Sequence, residues 1–163
     1  MNIYKTILVC FFVTAVSFAQ KSPRQQAEGK IDQISVAIDY GAPSVRGRVI
    51  WGDLVKYNDV WRAGANENTT ISFDKEVSIA GNKLAAGKYG FFMIPNEKGN
   101  WTAIFSTKND AWGSSSYNEK EDALRVEITP EFVSDVQEQL LYTVAKNSIN
   151  FSWEKARIAI PVK

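Results

Sequence analysis

The 163-residue chain is almost electrically neutral, with 19 basic and 18 acidic residues, and it contains no histidine. A neutral chain gives no electrostatic case for binding nucleic acid or an anionic membrane surface. The lack of histidine excludes a Ser-His-Asp triad and a histidine-ligated metal centre. We therefore predict no metal site, and nothing in the sequence indicates a cofactor.

The first 19 residues have the pattern of a secretory signal peptide. Lys5 supplies a positive charge, residues 6–18 are almost wholly apolar, and Ser-Phe-Ala19 places small residues where a signal peptidase reads. The apolar run is shorter than the roughly 20 residues of a transmembrane helix. We expect export to the periplasm or the medium, without a transmembrane anchor. Cleavage would remove the single cysteine, Cys10, and leave 163 minus 19, or 144, residues, which is the length of one domain.

The remaining residues predict short β-strands. We expect residues 20–30, which are polar and contain one proline, to form a loose N-terminal arm, and residues 31–163 to form the folded domain. Apolar and polar residues alternate with the period of two that is typical of half-buried strands. In chain order, the alternating segments are 34–40, 71–73, 77–79, 124–128, 149–154 and 158–162.

Other segments complete an all-β prediction. Residues 89–94 are apolar on both faces, which predicts a central strand covered on each side. Gly81-Asn82 predicts the two-residue turn of a hairpin, since both residues tolerate positive φ. Helical signals are weak and are limited to residues 52–60 and 130–138. With strands over 101–105 and 139–144, we predict a single antiparallel β-sandwich or small barrel of about eight or nine strands.

Several motifs, in a fixed order, resemble those of an exported bacterial family. They are Ser22-Pro-Arg24, Tyr40-Gly-Ala-Pro-Ser-Val-Arg-Gly-Arg48, Trp51-Gly-Asp-Leu-Val55, Trp61-Arg-Ala-Gly-Ala-Asn-Glu67, Leu84-Ala-Ala-Gly-Lys-Tyr-Gly90, Trp112-Gly113 and Glu121-Asp-Ala-Leu-Arg125. The family is domain of unknown function 2911, which is common in the Bacteroidetes. The resemblance implies an exported, mostly β protein from a Gram-negative bacterium. It assigns no catalytic residue, because the family has no established activity.

The polar run over residues 61–70 is the strongest candidate for a binding site. Arg62 offers a planar fork of donors, Asn66 both donates and accepts, and Glu67 accepts hydrogen bonds. Trp61 would then be a stacking platform for a sugar ring or another flat face. The alternative is a structural clasp, in which Arg62 pairs with Glu67, Asn66 satisfies backbone groups and Trp61 fills core.

Three further residues join this candidate set. Arg46 and Arg48 flank a turn glycine. They either lie in a solvated loop or, if they converge with Arg62, contribute to a site for a carboxylate or phosphate. Trp112 lies in a serine- and glycine-rich loop, where it either contributes to the rim of a binding site or attaches the loop to the domain.

These residues support three hypotheses. Our preferred hypothesis is a non-enzymatic module that binds a small molecule, glycan or peptide beside residues 61–70. The second is a structural or protein-interaction module of the cell envelope. The third is a carboxylate-based hydrolase in which Glu67 acts as acid or base and requires a second carboxylate within reach.

Overall fold

The computed structural model describes residues 21–163, so the signal peptide predicted for residues 1–19 lies outside the described residues. Within the described range the only helical segment is a 3₁₀ turn at Glu119–Glu121. Ten β-strands follow one another: β1 (Arg24–Ile31), β2 (Ile34–Gly41), β3 (Thr69–Phe73), β4 (Val77–Ile79), β5 (Asn82–Leu84), β6 (Gly87–Ile94), β7 (Trp101–Ser106), β8 (Asp122–Ile128), β9 (Glu131–Val144) and β10 (Ser148–Pro161). The all-β prediction is confirmed.

The strands form two antiparallel layers. One is a six-stranded sheet in the order β1-β2-β3-β6-β7-β8. The other is built on the long hairpin of β9 and β10, to whose end the short β4–β5 hairpin is joined. That junction includes two backbone hydrogen bonds between Ser78 and Lys163, of 2.7 and 3.0 Å, and a third from the N–H of Ala80 to the carbonyl of Pro161, of 3.0 Å. The arrangement is the antiparallel sandwich expected from the sequence.

The hydrophobic core lies between the six-stranded sheet and the β9–β10 hairpin. In β2, the alternating residues Val36, Ile38 and Tyr40 are buried because they point toward the hairpin. Tyr142 of β9 reaches across the layers, with its ring centroid 4.8 Å from that of Tyr40 and 6.3 Å from that of Phe91. Aromatic contacts therefore join the two layers.

Strand β6 is central and is covered on both faces, as residues 89–94 predict. It lies between β3 and β7, and Phe91 points into the core. Phe92, on the opposite face, is covered by the loop over residues 107–121, where the ring of Tyr117 lies 5.2 Å from it. A strand with two covered faces needs apolar side chains on both, which explains its continuous apolar sequence.

Three predictions from local sequence are wrong. The predicted loose arm is ordered from Arg24 onward, because β1 pairs with β2 through eight consecutive residues. Its sequence is polar because alternate side chains remain exposed, so apolar periodicity could not reveal it. The helix proposed for residues 130–138 is instead the start of β9, which pairs with β10 at Glu131 and Phe132. The short helix proposed for residues 52–60 is a series of turns.

The β4–β5 turn is shifted by one residue from its predicted position. Ile79 pairs with Asn82, so the two turn residues are Ala80 and Gly81 rather than Gly81 and Asn82. Their φ angles are +47° and +86°, which are the signs that a type I′ turn requires. An alanine in this region is strained by its Cβ atom.

We predict that Ala80→Asn stabilises the protein by about 0.5–1 kcal/mol, because asparagine tolerates the left-handed conformation better than alanine. Chemical denaturation would measure the change. Ala86→Asn is the control, since Ala86 is an exposed alanine of the next turn without a positive φ. Equal effects of the two substitutions would contradict the assignment of strain to Ala80.

Candidate functional site

The polar run of the sequence forms a loop over residues 61–68, here called the site loop, which leads directly into β3. Trp61 exchanges two backbone hydrogen bonds of 2.8 Å with Met93 of β6. The loop therefore begins as an extension of the sheet, beside the point at which β3 starts. Its position is set by backbone pairing rather than by side-chain contacts alone.

The conformation of the site loop is fixed from within. Ala63 and Asn66 have φ angles of +50° and +65°. The indole N–H of Trp61 donates to the carbonyl of Gly64 at 3.2 Å. The carbonyl of Ala63 accepts from the buried hydroxyl of Tyr142 at 2.8 Å, and burial raises the pKa of that hydroxyl well above its ordinary value. These contacts hold the loop against the core.

The site loop packs closely against the end of β2, at Gly41. The N–H of Ala65 donates to the carbonyl of Gly41 at 3.1 Å. A Cβ atom at Gly41 would lie 2.0 Å from the carbonyl oxygen of Ala65, which no side chain allows. Glycine is therefore required at this close backbone approach.

Trp61 belongs to an aromatic cluster at the edge of the core. Its ring stacks on Trp153, with centroids 5.6 Å apart and an interplanar angle of 19°. Trp51 meets the same ring edge-on at 5.8 Å. Because Trp61 is only partly buried, it fills core on one side while lining a cavity on the other.

Arg62 is the least satisfied charged group of the site. Its Nε atom is buried without a hydrogen-bond partner within residues 21–163, and no carboxylate of that range pairs with its guanidinium. Burial lowers the pKa of Arg62, because removal from water disfavours the charged form. The Arg62–Glu67 pair of the clasp hypothesis does not form. A buried donor without an acceptor is costly and needs an explanation.

A cavity of about 270 Å³ opens beside Arg62, and we call it the Arg62 pocket. It is lined by Ser22, Pro43, Arg48, Leu54, Val55, Trp61, Arg62, Gly64, Ala65, Asn66 and Trp153. Four of the seven residues predicted from sequence, Trp61, Arg62, Asn66 and Arg48, therefore meet in one place. Asn66 also donates from its side chain to the carbonyl of Ser22 at 3.3 Å.

The two arginines of the earlier loop are separated. Arg48 reaches the pocket, but its guanidinium already donates to the carbonyls of Val45 at 3.1 Å and Ser44 at 2.6 Å. Arg46 is exposed and does not line the pocket; its backbone N–H donates to a carboxylate oxygen of Glu138 at 2.9 Å. The three arginines thus do not form one cluster, although Arg48 and Arg62 both line the pocket.

Glu67 and Trp112 lie beside the pocket rather than in it. Their backbones form an isolated antiparallel bridge, and Trp112 is 60 % exposed. Lys21 joins them, with its Nζ atom 5.4 Å from the centre of the Trp112 ring and 3.9 Å from a carboxylate oxygen of Glu67. Ser22 lines both the Arg62 pocket and the neighbouring cavity that contains Lys21 and Glu67. The two cavities therefore adjoin each other at Ser22.

Arg24 has a structural role that sequence reasoning missed. Its guanidinium donates to the carbonyl oxygens of Asn68 at 2.8 Å and Glu67 at 3.3 Å, and it forms an ion pair with Asp39. It therefore attaches β1 to the end of the site loop. The Ser22-Pro-Arg24 motif was a signal for this role, but the polar sequence around it suggested a loose arm.

Acidic residues are sparse around the two cavities. No group of three or more acidic, cysteine or histidine side chains that could hold a metal occurs in the described part of the chain. Among residues 21–163, Glu67 is the only carboxylate that lines either of these two cavities. A carboxylate-based hydrolase needs two such groups across the bond that is cleaved.

A larger cavity lies elsewhere, on the outer face of β1, β2, β3 and β6. Its volume is about 660 Å³ and its lining includes Glu28, Lys30, Asp74 and Lys88. It is a shallow, mixed-charge surface whose ionisable residues are exposed. The Arg62 pocket has the stronger chemical case because the Nε atom of Arg62 is buried without a hydrogen-bond partner among residues 21–163. Among residues 21–163 there is no helix with the length and apolarity to cross a membrane.

Comparison with known proteins identifies the family. The family model described as "Protein of unknown function (DUF2911)" matches residues 22–162. The chain belongs to this family. The resemblance inferred from the ordered motifs is thereby confirmed, and the DUF2911 match includes both the site loop and the Trp112 segment. No curated protein and no solved structure matches the chain.

We predict that Arg62→Met raises the free energy of unfolding of this DUF2911 protein by about 1 kcal/mol in the absence of ligand. Methionine keeps an unbranched apolar stem, while it removes a donor that is buried without a partner. Chemical denaturation would measure the change. Lys98→Met, in the turn after β6, removes the same charge from an exposed position and should change stability by no more than about 0.5 kcal/mol. If Arg62→Met lowers the free energy of unfolding while Lys98→Met does not, the result would support the clasp hypothesis instead.

Proposed function

We propose that this protein is an exported, non-enzymatic module that binds a small molecule, glycan or peptide in the Arg62 pocket. The observation that carries the proposal is the side chain of Arg62, whose Nε atom is buried without a hydrogen-bond partner among residues 21–163 and which lies beside an open cavity. A protein that keeps such a group forgoes stability, and that is common where a ligand supplies the missing partner.

The surroundings of Arg62 also favour ligand binding. Trp61 is held in place by Met93 and Trp153, so the pocket wall is formed before any ligand arrives. Preorganised walls lower the entropy cost of association. Asn66 adds a side chain that can both donate and accept. The pocket thus combines one charged donor, one amide and an aromatic wall, which is typical of small-ligand sites.

The second candidate function is a structural or protein-interaction module of the envelope. The observation in its favour is that several groups of the site loop already serve internal contacts, such as the Trp61 indole with Gly64 and Ala63 with Tyr142. In that case Arg62 would hold the loop in place, and its replacement would lower stability. The two functions therefore predict opposite signs for Arg62→Met.

A ligand screen tests binding directly. We expect at least one member of a panel of glycans, peptides and organic anions to raise the thermal midpoint of the purified protein, because a ligand that binds only the native state stabilises it. Arg62→Gln should fold and lose the response, whereas the charge-matched Lys98→Gln should keep it. If no compound shifts the midpoint and Arg62→Gln is strongly destabilised, the binding proposal is wrong.

Export rests on the N-terminal pattern and has its own test. We expect protein recovered from the periplasm or medium of an expressing bacterium to begin at Gln20, as read by mass spectrometry of the intact chain. Ala19→Arg should block processing, because the peptidase requires a small residue there, and Ala19→Ser should preserve it. Recovery of the full-length chain from the cytoplasm alone would contradict export.

A further inference from the structure

Trp112 is the exposed member of the five tryptophans. Trp101 and Trp153 are buried and Trp51 and Trp61 are partly buried, whereas Trp112 is 60 % exposed. An exposed tryptophan presents a large apolar face to water, and such faces commonly mark interaction sites. The position of this side chain is therefore a feature that the core does not explain.

The backbone around Trp112 is fixed, and it adjoins Arg62. The N–H of Gly113 donates to the carbonyl of Asn66 at 2.9 Å, and the carbonyl of Ala111 accepts from Asn68 at the same distance. A Cβ atom at Gly113 would lie 3.8 Å from the Nη1 atom of Arg62. The segment that carries the exposed indole therefore passes directly beside the guanidinium.

The donors of the pocket match a planar anion. The Nε atom of Arg62 is buried without a hydrogen-bond partner among residues 21–163, and a guanidinium and a carboxylate form parallel hydrogen bonds of matched geometry. Two N–H groups of Arg48 donate to backbone carbonyls, but its positive charge also lines the pocket. A phosphate ester is therefore the anion against which the carboxylate is tested below.

The Trp112 segment adjoins Arg62 from outside the pocket. Trp112 does not line the cavity of about 270 Å³, but its backbone pairs with Glu67, and the neighbouring Gly113 lies beside Nη1 of Arg62. A ring attached to a carboxylate at Arg62 could therefore extend toward the exposed indole.

From these observations we propose that the ligand is a ring-bearing carboxylic acid, whose carboxylate pairs with Arg62 and whose ring lies against Trp112. The inference rests on the proposed function, because it names the ligand class of the same site. An aromatic acid and an acidic sugar both carry a carboxylate attached to a ring. Both rings have a face that can pack against an indole. The shared chemistry is a carboxylate beside a ring, and the two sources are separated by experiment.

The test is a titration of the purified protein followed by the indole N–H signals of Trp61 and Trp112 in two-dimensional NMR. Trp61→Phe and Trp112→Phe assign the signals. The acidic probes are benzoate and glucuronate, with acetate as the acid that lacks a ring. Benzamide and glucose are the matched neutral rings, and phenyl phosphate is the alternative anion. Concentrations up to about 20 mM would detect dissociation constants in the millimolar range.

We expect benzoate or glucuronate, or both, to shift the two indole signals, and the neutral rings to leave them unchanged. Arg62→Gln should weaken binding of the acids by tenfold or more, because it removes the charge and the fork of donors. Trp112→Ala should weaken binding of the ring acids by about tenfold, through loss of the stacking surface, and should not affect acetate. The charge-matched Lys98→Gln should bind as the wild type does.

Each outcome decides a separate point. Binding of benzoate alone identifies an aromatic acid, and binding of glucuronate alone identifies an acidic sugar. Tighter binding of phenyl phosphate, or equal binding by Trp112→Ala, overturns the ligand class. Neutral ligands that bind independently of Arg62 would overturn the inference while leaving a binding function intact. If no probe and no member of the wider panel binds, and Arg62→Met destabilises the protein, the proposed function also fails.

Discussion

The stacking of Trp61 on Trp153 is the contact on which the candidate site depends. Trp153 belongs to β10 and Trp61 is paired with Met93 of β6, so the stack ties the long hairpin to the six-stranded sheet. It fixes the first residue of the site loop and thereby the direction in which Arg62 leaves the backbone. Packing of an aromatic cluster thus sets the position of the charged group beside it.

Arg62 and Arg24 differ in how their side chains are paired. The Nε atom of Arg62 is buried without a hydrogen-bond partner among residues 21–163, and such a donor carries a desolvation cost. Arg24 lies in β1, where its guanidinium donates to the carbonyls of Glu67 and Asn68 and pairs with Asp39. These partners explain the position of Arg24, whereas the internal contacts of the site loop do not explain that of Arg62.

The sequence predicted the strands in which buried side chains leave a regular pattern of apolar residues. Alternation in β2 and the doubly apolar run of β6 revealed strands because burial on one face or two leaves a period that can be read locally. Strand β1 and the first half of β9 were missed because both are mostly exposed. Their extended conformation comes from hydrogen bonds to the next strand along the chain, β2 for β1 and β10 for β9. The composition of a mostly exposed strand carries no record of such pairing.

By itself the sequence determined the fold class, the family and the residue types of the site, because periodicity and ordered motifs are properties of the chain alone. It also marked residues 61–70 as a candidate site, but the expectation that this run is too polar for core is wrong for Asn68, Thr69 and Thr70, which are buried. Only the tertiary structure decided which of those residues meet. Pairing of Trp61 with Met93 and of Glu67 with Trp112 brings together segments that are tens of residues apart. The same fold places Arg46 outside the pocket and leaves Arg62 without an acidic partner among residues 21–163. No local pattern could predict this, because proximity in space depends on long-range strand pairing.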